Sequence, residues 1–168
     1  PNELEVIRIL LENDMLLITK NELLELTPYH ARQIATAGQV KAELNIYPGE
    51  VTVLRIGDTQ SEKLRIPQEY RDKIVDVKKY CTKPELEMLL IIAEGLTSEY
   101  EKVKSSMKPK TFAKQHIRCG RKKYDNSTAF YRDYFGENPK MLAESIREYR
   151  RRNGSHKNDE GYLAELLK

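Results

Sequence analysis

A carboxylate stands where an extended segment of this sequence is expected to end. The β-branched residues of Val51–Ile56 favour a strand, and Gly57 and Asp58 follow it directly. The carboxyl edge of a parallel sheet is a common place for metal and phosphate sites, and a glycine lets a ligand approach the backbone closely. A simple turn, in which the Asp58 side chain caps the following segment, explains the same pair. Both interpretations stay open from the residues alone.

Glu3 and Glu87 are two further carboxylates near the predicted starts of helices. Acidic side chains are favoured there because they complement the positive end of the helix dipole. Carboxylates are also the ligands with which proteins hold Mg²⁺, whose remaining ligands are water and phosphate oxygens. The positions of Glu3 and Glu87 therefore allow either a structural role or a metal-binding role.

A strongly basic segment lies in the second half of the chain. Residues 102–123 contain nine Lys and Arg and no Asp or Glu, and several aromatic residues are interleaved with them or follow closely. Cations neutralise phosphates and aromatic rings stack on unpaired bases, so this segment predicts a nucleic-acid-binding surface. The residues predicted to bind nucleic acid are Lys108, Lys110, Lys114, Arg118, Arg121, Lys122 and Lys123. The alternative is a solvated helical face whose aromatic residues lie in the core.

The charge of the chain is divided between its two halves. Residues 1–100 carry 12 Lys and Arg against 17 Asp and Glu, whereas residues 101–168 carry 17 against 9. A second basic cluster at residues 147–157 contributes to the later excess, although cations are also favoured at an ordinary helix C-terminus. An acidic front and a basic rear predict two faces or two lobes with different partners.

The elements that must position these side chains follow from hydrophobic periodicity and turn signals. Strands are predicted at 51–56 and 74–77, and a short strand or a continued helix at 15–18. Helices and short helical turns are predicted at 2–13, 22–26, 29–45, 68–72, 84–93, 109–117, 127–135, 139–152 and 160–167, and a further helix is predicted to begin at Thr97. Helices alternate with strands in the first half and stand alone in the second, which predicts an α/β fold with an α-helical extension. An all-α fold is the alternative.

The composition excludes several classes of protein. The chain of 168 residues is 39% hydrophobic and 33% charged, which is typical of a soluble protein with a modest core. Its longest apolar run, 88–93, is much shorter than the ~20 residues that span a bilayer, so no membrane partner is expected. Two cysteines without neighbours at metal-ligand spacing favour a reducing, cytoplasmic location over a disulfide scaffold. The three histidines are scattered, so no zinc site is predicted.

Three segments resemble motifs of TOPRIM domains, which occur in topoisomerases, primases, overcoming-lysogenization-defect nucleases and related bacterial defence proteins. The opening PNELEVIRILLENDML resembles the part of a motif that follows a strand-ending Glu-Gly pair, and Glu3 falls at its second acid. The stretch LRIGDTQ is similar to a later strand that ends in Asp-x-Asp, of which Asp58 is present. The stretch KKYCTKPELEMLLIIAEG resembles the proline-acid-apolar helix of RloB-like TOPRIM proteins, with Pro84 and Glu87 matching.

The resemblance implies a small, mainly parallel sheet within residues 1–95, followed by a basic α-helical extension at residues 96–168. The Glu-Gly pair, and the first strand that it ends, would lie before Pro1. The implied function is nucleic-acid processing, as a Mg²⁺-dependent nuclease of a bacterial defence or mobile-element system. Asp58, Glu3 and Glu87 would hold the metal, and Asp58 and Glu3 would be the catalytic residues.

Two other functions are compatible with the sequence. The first is a non-catalytic nucleic-acid-binding or regulatory protein, which the single acid at the end of the main strand favours. The second is a protein-interaction module whose acidic and basic regions pair with neighbours or with copies of itself as a homo-oligomer. The choice between DNA and RNA is left open by all three hypotheses.

Overall fold

The computed structural model describes residues 1–57, 62–82, 85–153 and 160–168. Its α-helices within this part of the chain are α1 (Asn2–Glu12), α2 (Gly38–Ile46), α3 (Glu87–Ala93), α4 (Thr97–Glu101), α5 (Pro109–His116), α6 (Thr128–Gly136) and α7 (Pro139–Arg152). Its strands are β1 (Val51–Gly57), β2 (Ile74–Cys81), β3 (Arg118–Cys119), β4 (Lys122–Lys123) and β5 (Glu160–Tyr162). None of the described helices is long and apolar enough to cross a lipid bilayer.

Three strands form a parallel sheet in the order β1-β2-β5. Strand β1 pairs along its whole length with β2, and β5 pairs with the last three residues of β2. The register places Gly57 beside Cys81 and Cys81 beside Tyr162, so the three strands end together at one edge of the sheet. The predicted α/β class and the small, mainly parallel sheet are therefore confirmed, and the all-α alternative is excluded.

The prediction of a helix over 29–45 is wrong for its first part. The helix begins only at Gly38, and the preceding residues are irregular apart from a 3₁₀ turn at Ile34–Thr36. The side chain of Gln33 explains the difference, because its amide nitrogen donates to Glu62 Oε1 and to the carbonyl of Lys63, each at 3.0 Å. Its amide oxygen accepts from the backbone N–H of Arg65 at 2.9 Å. These tertiary hydrogen bonds hold the segment in an extended conformation.

The sequence also mispredicts the last element. Residues 160–167 form strand β5 and a 3₁₀ turn rather than an amphipathic helical turn alone. In the segment 15–18, Leu16 makes an isolated antiparallel bridge with Leu167. Both of these short extended segments depend on partners that are distant in sequence, so local periodicity carries little information about them.

The parallel sheet separates two apolar clusters. Val53 and Val77 pack against a smaller cluster that contains the fully or nearly buried residues Ile34, Leu44, Tyr70 and Ile74. Ile56 and Tyr80 lie on the opposite face of their strands, because side chains alternate along a strand, and they pack against the larger cluster. The larger cluster is built mainly from α1, α3, α5, α6 and α7. It therefore positions the helices that carry Glu3, Glu87, Lys110 and Lys114.

Residues on both sides of the predicted boundary at residue 95 contribute to the larger cluster. Helix α1 packs against α6, and α3 packs against α5 and α7. The division into residues 1–95 and 96–168 stays a prediction, but the two regions share one hydrophobic core.

Gly161 provides a test of the packing of β5. A methyl group at this position would lie 3.0 Å from Cδ1 of Tyr80 and would overlap the carboxylate of Glu165. That carboxylate is held in place because it accepts a hydrogen bond from the backbone N–H of Tyr162 at 3.2 Å. We expect Gly161→Ala to lower the free energy of unfolding by about 1–3 kcal/mol, measured by urea denaturation.

The matched control is Gly136→Ala at the end of α6, where no atom lies within 4 Å of the added methyl group. Alanine is favoured over glycine in helices, so this variant is expected to be at least as stable as the wild type. Equal unfolding free energies for the two variants would contradict the described packing of β5.

Candidate nucleic-acid interface

Asp58, the central residue of the predicted metal site, lies outside the described residues. The same is true of Pro84 and of residues 154–157 of the second basic cluster. The strand before Asp58 is confirmed, since β1 ends at Gly57 beside the last residue of β2. The role of Asp58 itself stays a prediction.

Glu87 lies in the first turn of α3 and is buried, with an exposed fraction of 7%. Its Oε1 accepts a hydrogen bond from the hydroxyl of Tyr124 at 2.8 Å, and the hydroxyls of Tyr124 and Tyr131 lie 3.1 Å apart. Burial raises the pKa of both tyrosines, and the nearby charge of Glu87 raises each pKa further. The hydroxyls therefore keep their protons at neutral pH, and Tyr124 serves as a donor to the buried carboxylate.

Glu3 lies in the first turn of α1, and its side chain is 38% exposed. The pKa of Tyr131 is raised mainly by burial, but the negative charge of Glu3 contributes, as does that of Glu87. Two of the three predicted metal ligands thus act electrostatically on the same buried tyrosine.

The described surroundings of Glu3 and Glu87 do not fit a hydrated magnesium ion. Mg²⁺ usually keeps several water molecules in its coordination shell, whereas Glu87 is buried and already accepts a hydrogen bond from Tyr124. No group of three or more His, Cys, Asp or Glu side chains in the described part of the chain could hold a metal ion. Mg²⁺ binding, which also depends on Asp58, stays a prediction.

A second buried carboxylate, Glu5, connects α1 to α6. Arg132 donates to it with two nitrogens, at 2.9 Å to Oε1 and 3.2 Å to Oε2, in a geometry that suits a carboxylate. Asn2 adds a further connection, since its side-chain nitrogen donates to the backbone and side-chain oxygens of Asn126, both at 3.2 Å. Asn126 has a left-handed backbone conformation with φ 61°, which asparagine adopts more readily than most residues. Helix α1 therefore fixes the segment that leaves the β3–β4 hairpin.

All seven residues predicted to bind nucleic acid are exposed. They lie on and next to α5 and on the hairpin of β3 and β4, and we call them the basic surface. The Nζ atom of Lys122 lies 3.6 Å from Oδ2 of Asp125, so these two residues form an ion pair. The other six make no ion pair within the residues that the structure describes. Their positive charge is therefore largely uncompensated by the chain itself.

The aromatic residues of the same region lie in the core rather than on the basic surface. Phe112, Tyr124, Phe130, Tyr131 and Phe135 are at most 3% exposed. The half-buried Tyr134 donates its hydroxyl proton to Glu94. The interpretation that places these rings in the core is confirmed, and the interpretation that they stack on bases is wrong.

The arginines in the described part of the second basic cluster are bonded within the chain. Arg151 and Arg152 both donate to Glu148 at 2.7–2.8 Å, and these hydrogen bonds lower the pKa of that carboxyl to about 2. The guanidinium of Arg150 lies 4.2 Å from the ring centroid of Tyr162, and Arg147 donates to the carbonyl of Lys168 at 2.7 Å. This cluster serves α7 and its neighbours, as expected for a helix end.

No protein-family model matches this chain, and no curated protein or solved structure is significantly similar to it. The TOPRIM resemblance therefore stays a prediction. The basic surface is supported by its own geometry and charge.

Sequence reasoning missed the hairpin that carries four of the seven cations. Its two-residue turn, Gly120-Arg121, has a positive φ of 60° at the glycine and none at the arginine, as in a type II′ turn. A glycine at the first position of a two-residue loop between short polar strands is the signal that indicates such a hairpin. The strands have only two residues each, so that signal is weak.

The hydrogen bond from Tyr124 to Glu87 can be tested by removing its donor. Tyr124→Phe leaves a buried carboxylate without the hydroxyl that solvates it. We expect the free energy of unfolding to fall by about 1–3 kcal/mol, measured by urea denaturation.

Tyr134→Phe is the matched control, because it removes a tyrosine hydroxyl from an exposed acceptor, Glu94, that water can solvate instead. Its loss of stability is expected to be clearly smaller. A Tyr124→Phe variant as stable as this control would show that Glu87 does not depend on Tyr124.

Proposed function

We propose that this protein binds nucleic acid by contacting phosphates with the basic surface. The observation that carries the proposal is the group of six exposed cations on α5 and the β3–β4 hairpin that have no ion-pair partner among the described residues. A polyanion supplies the missing negative charge and releases condensed counterions when it binds.

The hairpin brings two like charges together. Arg118 lies directly opposite Lys123 in the β3–β4 ladder. Side chains of directly opposed residues are close neighbours, and like charges in such a pair destabilise the ribbon. A bound phosphate between or beside the two cations would convert this repulsion into attraction.

The start of α5 also holds cations at positions where positive charge is unfavourable. Lys108 is its N-cap and Lys110 lies in its first turn, which contains no acidic residue. The N-terminus of a helix carries partial positive charge, so cations are disfavoured there and anions are favoured. An external phosphate close to Lys108 and Lys110 would offset this unfavourable interaction.

A triple substitution tests the basic surface. Lys110→Gln/Lys114→Gln/Lys123→Gln removes three exposed cations without touching the core. Each lost phosphate contact is expected to reduce the slope of log affinity against log salt by about one. The slope of the triple variant should therefore fall by about three, and its affinity should fall more than tenfold. Fluorescence anisotropy with labelled nucleic acid between low and physiological salt measures both quantities.

Lys63→Gln/Arg71→Gln/Lys78→Gln is the matched control, because these cations are also exposed but lie outside the basic surface. It is expected to keep the salt slope of the wild type. Equal losses for the two triple variants would mean that binding depends on net charge alone, against the proposed surface.

A Mg²⁺-dependent nuclease with a TOPRIM-like site is a second candidate function. It is favoured by the parallel strand β1, which ends immediately before Asp58 at the edge shared with β2. In that case the basic surface would hold the nucleic acid while Asp58, which follows β1, would provide a carboxylate for the metal. The protein would then belong among nucleic-acid-processing enzymes of bacterial defence or mobile-element systems.

Replacement of the Asp58 carboxylate by an amide tests this second function. Asp58→Asn keeps the size of the side chain but removes its charge, so any Mg²⁺-dependent cleavage of DNA or RNA is expected to disappear while binding persists. Cleavage is followed on gels with Mg²⁺ and with a chelator. Cleavage by the variant at the wild-type rate would remove Asp58 from the mechanism.

A further inference from the structure

The β3–β4 hairpin is anchored at both of its ends by buried residues. Ile117 precedes β3 and Tyr124 follows β4, and they are 1% and 3% exposed. The backbone N–H of Tyr124 donates to the carbonyl of Ile117 at 3.0 Å, which closes the base of the ribbon. Because Tyr124 also donates to Glu87, the hairpin leaves the core from a fixed position.

The two faces of the hairpin differ. Cys119 packs against the larger apolar cluster, so the face that it shares with its partner Lys122 is directed toward the body of the protein. Arg118 and Lys123 belong to the opposite face and are exposed. Arg121 lies at the turn and is exposed as well. The free face and the turn therefore present three cations together.

The region lacks the platform that single-stranded nucleic acid requires. Proteins that bind single strands usually stack successive bases on exposed aromatic rings, whereas the Phe and Tyr rings of α5 and α6 are buried or half-buried. The imidazole of His116 is exposed, but its centroid lies 4.3 Å from that of Phe112, so part of the ring is covered. The exposed cations of this region can still contact the sugar-phosphate backbone and the base edges in a groove.

We infer that the β3–β4 hairpin enters the major groove of B-form duplex DNA. Arg118 and Lys123 contact the phosphates that border the groove, and Arg121 at the turn reaches the base edges. This inference rests on the proposed function and names its substrate class.

The groove dimensions favour DNA over RNA. The major groove of B-form DNA is about 12 Å wide and admits a two-stranded ribbon, and arginine pairs with guanine edges there. The major groove of A-form RNA is deep and too narrow for side chains to read. A short ribbon anchored at its base and cationic on its free face matches the first groove and not the second.

Three labelled probes of one sequence test the inference by fluorescence anisotropy: a DNA duplex spanning about two helical turns, one of its single strands and the matching RNA duplex. The full chain is expected to bind the DNA duplex at least about tenfold more tightly than either other probe. Arg121→Gln is expected to weaken duplex binding about tenfold, and Arg118→Gln/Lys123→Gln to reduce the salt slope by about two. The control Lys63→Gln/Arg71→Gln keeps wild-type binding.

The unfolding transition of each variant distinguishes binding from folding. Arg118→Gln/Lys123→Gln removes a repulsive pair, so it is expected to unfold at the same or higher urea concentration than the wild type. Lower stability in this variant would show a structural role for the two cations and overturn the inference.

The remaining outcomes separate the inference from the function on which it rests. Binding to none of the probes at low salt overturns the proposed function and the inference together. Binding that is equal for all probes, or stronger for the single strand or the RNA duplex, overturns the inference alone. Wild-type duplex affinity in Arg121→Gln would show that the hairpin turn does not contact the groove, and it would likewise overturn the inference.

Discussion

A buried carboxylate needs a hydrogen-bond donor, and this requirement at Glu87 determines how the second half of the protein is assembled. Tyr124 supplies the donor, and its neighbour Tyr131 completes a buried cluster of hydroxyls that joins α3, the exit of the hairpin and α6. Glu5 imposes the same requirement on the other side of α6, where Arg132 satisfies it. Both acids therefore hold elements together, and the hairpin between α5 and α6 is positioned as a result.

The distribution of charge follows from this arrangement. The buried acid Glu5 is paired with Arg132, and the arginines at the end of α7 are bonded to neighbouring groups. The cations of α5 and the hairpin differ from these arginines because, apart from Lys122, they make no ion pair within the described residues. The structure shows no internal role for these charges among the described residues, and this is the physical reason for proposing an external polyanion as their partner.

The sequence predicted the elements that local pattern controls. The β-branched stretches of β1 and β2 and the amphipathic periods of α1, α6 and α7 were visible without a structure. The irregular chain before α2 was not, since Gln33 is held by residues thirty positions away. The cations of the candidate interface followed from composition, whereas the hairpin that presents them depends on two-residue strands. Glu87 was singled out as a metal ligand, but its described partner, Tyr124, lies 37 residues further along the chain.

The parallel sheet has a consequence for the order in which this protein is made. Strand β5 pairs with the end of β2, yet all the helices from α3 to α7 lie between them in the chain. During synthesis, the edge of β2 that β5 later covers must wait until these helices have left the ribosome. Non-local pairings of this kind slow folding, since the loop must close before the contact forms. We therefore expect the local α-helices to form first in the nascent chain and the sheet to be completed last.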